Sequence, residues 1–139
     1  MCGAPAGTGA FPIDIFATFG GPTSLAYKEA SAYLPIPAGS YDLRIIDAAE
    51  DCATSAGVKD VLGITLADGD HKTFVALGKI GDATNPFDVK SFADDTTVDA
   101  AKVQLRFVHA APAAAAFGGV DVGLAITPWT PIWSNVSFG

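Results

Sequence analysis

Two histidines, two cysteines and fifteen acidic residues are the groups in this 139-residue chain most able to do chemistry. His71 and His109 show neither HxH nor HExxH spacing, so no metal is expected from them. An imidazole could act as ligand or base. His71, beside Asp68-Gly69-Asp70, reads more simply as a solvated turn residue. His109, just ahead of Ala-Ala-Pro, reads as bonded to the following loop. Asp14 and Asp121 each interrupt an apolar stretch at matching points. They could be the acids of a site, although a glycosidic pair must converge across the fold. The structural alternative puts them on a solvent face or bonded to loop N–H groups. Asp94, Asp95 and Asp99 lack a calcium-loop pattern and read as a solvated tether.

Other chemistry finds no motif. "FGGPTS" and "FGGV" are short glycine loops without the flanking register of a phosphate loop, dinucleotide fingerprint or nucleophile elbow. No enzyme and no cofactor are expected. "TPWTPIW" places Trp129 and Trp133 around two prolines. Exposed indoles would offer flat faces to a sugar or an apolar partner, whereas the structural alternative buries one and lays the other over a sheet edge. Asn135-Val136-Ser137 is a sequon. Cys2 and Cys52 have no CxxC spacing, and two distant thiols permit either one bridge or none.

The elements that must position these groups are strands. Half the residues are apolar, with 15 Gly and 9 Pro and few charges, as suits an all-β chain. At this length one domain with a real core is expected. The net charge of −7 repels phosphate backbones, so neither nucleic acid nor an anionic membrane surface is an expected partner. No apolar run approaches the roughly 20 residues of a membrane span. Residues 1–10 carry no signal-peptide pattern, which a mature chain would already have lost.

Alternation places Tyr41, Leu43 and Ile45 opposite Asp42 and Arg44, and Val103, Leu105 and Phe107 opposite Lys102, Gln104 and Arg106. "LADGD" followed by "KTFVALG" reads as a hairpin. Strands are expected near 12–18, 31–36, 40–47, 58–66, 71–78, 86–92, 102–109, 119–126 and 132–138. Their turns recur at the spacing of a sandwich. Only "SLAYKEASAYL" and "AAEDCATSAG" could hold a helical turn.

One pattern occurs twice. "APAGTGAFPIDIFA" and "APAAAAFGGVDVGLA" share Ala-Pro-Ala, small residues, Phe and an Asp between β-branched residues. Pro5 stands nine positions before Asp14, and Pro112 nine before Asp121. "LRFVHAAPAAAAFGGVDV" resembles the VHA-P-VDV signature of domain of unknown function 4397, a secreted bacterial β-sandwich repeat. "YLPIPAGSYDLRIIDA", "ITLADGDHKTFVALG", "FDVKSFADDTT" and "PIWSNVSFG" are similar to its remaining strands, so the resemblance covers nearly the whole chain.

The resemblance implies an all-β, immunoglobulin-like antiparallel sandwich of about one and a third repeats, in which residues 102–110 fold back into the vacant first-strand place of the same chain to close a permuted sandwich or, alternatively, fill that place in a neighbouring molecule. Residues 1–95 would be a repeat lacking its first strand and 96–101 an acidic linker. Residues 102–139 would be the first three strands of a second repeat, packed with the first. Pro5, Asp14, His109, Pro112 and Asp121 are then structural signature residues, and Val103, Leu105 and Phe107 candidates for strand exchange. "AAEDC" matches the family's second cysteine position at Cys52. The first departs, leaving Cys2 as the thiol for a shifted bridge, which would imply an oxidising, extracytoplasmic compartment. The expected function is a non-catalytic secreted or cell-surface module with a structural, adhesive or self-assembly role. Its partners would be copies of itself or other surface proteins. The alternative is a carbohydrate-binding module using Trp129 and Trp133.

Overall fold

A computed structural model describes residues 1–97 and 99–139. The chain is all-β and antiparallel, sandwich-like in class, and divides into two compact units, Met1–His71 and Lys72–Gly139. The expected linker at 96–101 includes Val98, which lies outside the described residues.

The N-terminal unit holds β1 (Cys2–Pro5), β2 (Ile13–Asp14), α1 (Ile15–Phe19), β3 (Gly39–Ile45) and β4 (Lys59–Leu66). Its sheet runs β2-β1-β3-β4, every pairing antiparallel. β1 pairs Cys2 with Arg44 and Pro5 with Tyr41, and on its other edge Cys2 with Asp14. The place beside β3 is therefore filled by the chain's own first residues. Cys2, Ala4, Phe11, Ile15, Phe16 and Leu43 form the buried apolar core of this unit. Gly3 is part of the packing, since a Cβ there would stand 2.7 Å from Ile15 Cδ1 and 3.1 Å from Leu43 Cδ2.

The expected strand at 12–18 divides. Asp14 Oδ1 accepts the N–H groups of Phe16 and Ala17 at 3.0 and 3.2 Å, which starts a helical turn instead. Gly20 at φ +76 ends it. No strand forms at 31–36, where Pro35 removes a ladder donor and Pro37 follows directly. Of the two segments expected to hold a helical turn neither becomes a helix, but "AAEDCATSAG" closes one such turn, with Thr54 N and Ser55 N both donating to Asp51 O. The second helix is α2 (Pro112–Ala115), with Pro at its first turn and alanines following.

The C-terminal unit holds β5 (Lys72–Leu77) paired with β6 (Asp88–Ala93), then α2, then β7 (Val120–Leu124) paired with β8 (Thr130–Val136). The "LADGD" turn closes as expected, with Asp70 N donating to Ala67 O at 3.1 Å and Gly69 at φ +78. It does not make a hairpin, since β4 pairs with β3 and β5 with β6. Residues 102–109 form no strand among the described residues. Their alternation supplies two faces, but a ladder also needs a neighbour, and among the described residues no strand pairs with them.

Candidate functional site

At one end of the N-terminal unit, Cys2 and Cys52 form a disulfide with their Cα atoms 5.5 Å apart. It ties β1 to the loop after β3. On that strand Arg44 grips Asp60 of β4 with two parallel bonds, Nε to Oδ1 at 2.7 Å and an Nη to Oδ2 at 2.8 Å. Its remaining Nη donates to Ser55 O, and its guanidinium lies 4.2 Å from the centre of the Phe11 ring. The paired bond from Arg44 holds the Asp60 carboxyl below its ordinary range, and Asp60 in turn raises the guanidinium. Donors from Asn85 and Thr84 lower Asp82, and Thr97 does the same for Asp95.

A second device occurs in both units. Where β3 and β4 slip register after Tyr41, Asp42 accepts Gly63 N on Oδ1 and Gly7 N on Oδ2, both at 2.8 Å. Gly63 is at φ +68, which glycine adopts without a steric cost. Where β7 and β8 slip after Val120, Asp121 accepts Asn135 N at 2.6 Å, and Asn135 is at φ +54. Each aspartate thus satisfies the donor that a bulge would otherwise leave unpaired. Asp42 is only 7 % exposed, although alternation put it on the outer face.

Residues 102–107 are exposed throughout. Their polar side chains are the anchored ones. Arg106 bonds Asp94 and the Ala93 carbonyl and lies 5.2 Å from the centre of the Phe92 ring, while Gln104 bonds Asp95 and Thr97 O. Asp94, Asp95, Gln104, Leu105 and Arg106 line an open cleft. The apolar side chains face outward, with Val103 at 81 % exposure, Leu105 at 66 % and Phe107 at 41 %. Among the described residues no backbone N–H of 103–111 donates a hydrogen bond.

His109 is buried at 5 % exposure, edge-on to Phe138 with ring centres 5.8 Å apart, and its Nε2 has no hydrogen-bond partner among the described residues. Its carbonyl accepts Gly139 N. The two tryptophans differ. Trp129 is 52 % exposed, whereas Trp133 is partly covered and stacks on Phe107 at 6.5 Å. Asp14 and Asp121 are occupied by backbone donors. Pro5 ends β1 and Pro112 starts α2. His71 is exposed and meets Tyr33 edge-on. Among the described residues no three His, Cys, Asp or Glu side chains group as metal ligands, and no helix is long and apolar enough to cross a membrane.

The signature residues, the β3 hairpin strand and the β7–β8 pair now stand together in one chain. A family model described as domain of unknown function (DUF4397) matches residues 8–122. The chain belongs to the DUF4397 family. Comparison with curated proteins and with solved structures finds no match. For this DUF4397 chain, sequence reasoning missed Asp42 and the Arg44–Asp60 clamp. Both are pairings across strands, visible in the sequence only as a β3 with two charged residues and a glycine in the middle of the next strand.

Proposed function

We propose that this DUF4397 chain is a non-catalytic secreted or cell-surface module with a structural or adhesive role. It joins β-modules, its own kind included, by lending residues 102–110 as a strand. The observation that supports this is the state of that segment, in which the backbone N–H groups of 103–110 lack acceptors among the described residues while Val103, Leu105 and Phe107 are exposed. Such a stretch is a ready partner for another sheet edge. The Cys2–Cys52 bridge favours an oxidising compartment outside the cytoplasm.

Sedimentation velocity over a wide concentration range tests the reading. A species heavier than the monomer is expected, and Leu105→Asp, at an exposed position, should abolish it without lowering thermal stability. A monomer at every concentration, unchanged by that substitution, would refute it. The alternative, glycan binding, keeps one open indole in Trp129. A glycan-array signal lost in Trp129→Ala and kept in Leu105→Asp would put that alternative first.

A further inference from the structure

Among the described residues, 103–107 join no backbone ladder, so side chains must hold them in place. Two do. One nitrogen of the Arg106 guanidinium donates to Asp94 Oδ1 and another to the Ala93 carbonyl, and the group lies over the Phe92 ring. Gln104 Nε2 is shared between Asp95 Oδ2 at 3.3 Å and Thr97 O at 3.2 Å. All of these partners sit at the C-terminal end of β6 or just beyond it.

The two halves of the ionic contact differ. Thr73 Oγ1 on β5 donates to Asp94 Oδ2 at 2.6 Å, and the Asp94 side chain is only 19 % exposed. That carboxylate is a fixed post on the β5–β6 pair. Arg106 is 43 % exposed and lies on the stretch without a ladder, so it is the half that can leave. One residue on, Phe107 stacks on Trp133 with the ring planes 24° apart. Opening the contact would free the segment and uncover the indole together.

We infer that Arg106 and Asp94 form an ionic latch, which holds residues 103–107 on the C-terminal unit and which salt opens to release them and uncover Trp133. The inference rests on the reading of 102–110 as a lent strand and supplies its control. Ionic strength is the natural trigger. The cation is reached by solvent, and the only other side-chain hold, from Gln104, is forked and long. An exposed pair is held weakly, and the screening length shrinks from about 10 Å at 0.1 M salt to about 3 Å at 1 M.

The test is limited trypsin digestion of the full chain, with the cut sites followed by mass spectrometry. Trypsin seats Arg106 only after its guanidinium has left Asp94, so the cutting rate there tracks the open population. Lys90, on β6 itself, is the reference for loosening of the whole unit. Asp94→Asn should speed cutting after Arg106 about two- to fivefold relative to Lys90, which is the worth of an exposed ion pair. Asp68→Asn, the same change of charge at an exposed turn, should not. Raising sodium chloride from about 0.1 M to about 1 M should speed the unaltered chain by a similar factor and Asp94→Asn by little. In a chain carrying Trp129→Phe, Trp133 is the one indole left, and its emission should move to longer wavelength over the same salt range.

The inference falls if Asp94→Asn is cut as slowly as the unaltered chain, if Asp68→Asn speeds cutting as much, or if Lys90 and Arg106 accelerate together. The proposed function is judged apart from it, by sedimentation. A latch that opens in a chain that stays monomeric upholds the latch and refutes self-association. Self-association abolished by Leu105→Asp, with cutting unmoved by Asp94→Asn, upholds that function and overturns the latch.

Discussion

Residues 2–17 and 109–124 share an Ala-Pro-Ala start and an Asp between β-branched residues, and they fold differently. In the first, Cys2–Pro5 lies between two strands, and Asp14 turns the chain into a helix. In the second, His109–Pro112 has no strand on either side among the described residues, and the stretch beginning at Val120 runs on as β7, with Asp121 holding the bulge opposite. Packing separates them as well. Among the described residues, the buried apolar side chains belong to the N-terminal unit apart from Leu77. The lesson is that alternation specifies faces, whereas a neighbour with free backbone groups makes a strand.

The largest test removes the bridge. Replacing Cys2 and Cys52 by Ser should cost about 4 kcal/mol in the chain-entropy model, for a loop with a sequence separation of 50, read by urea denaturation. It should also raise amide exchange across Cys2–Pro5, making the first copy behave more like the second.

Next comes the pair of equivalent small residues. Gly3→Ala pushes a methyl against Ile15 and Leu43 and should cost about 1–3 kcal/mol. The reverse change at the matching place, Ala110→Gly, should cost under about 1 kcal/mol. Equal losses would mean the two sites are packed alike.

Smaller again are the two signature acids. Asp14→Ala removes a helix cap and should cost about 1 kcal/mol, while Asp121→Ala, losing one exposed acceptor, should cost about half that. Thermal melts of both variants would rank them.

The slightest effect is on pH dependence. The carboxyl of Asp60 titrates below its ordinary 3.8 when folded, so its contribution is complete above that value and fades as pH falls through the lower folded one. Arg44→Gln should therefore flatten the stability curve on the acid side of about pH 4, with Asp82 and Asp95 still contributing. A curve unchanged in shape would show that the clamp does not hold in solution.

Much of this was legible beforehand. The alternation in "YDLRI", the turn ahead of "KTFVALG" and the Asp between valines in "VDV" mark β3, β5 and β7, because each has a partner in the folded chain. "KVQLRF" alternates as cleanly and joins no strand ladder among the described residues, which no local pattern reveals. The helix at Ile15–Phe19 defied its strand-forming residues because a single side-chain oxygen captured two N–H groups. The Arg44–Asp60 clamp was hidden because register alone brings residues sixteen apart together. The equivalence of Asp14 and Asp121 was plain, but their two different jobs were not.

The bond between Cys2 and Cys52 also sets how the chain would bear load. A pull applied at the first residues passes through sulfur directly to position 52, bypassing everything between. Roughly 170 Å of contour, at about 3.4 Å per residue over that separation of 50, is withheld from extension. A tether built from such modules would lengthen only through the remainder of each chain.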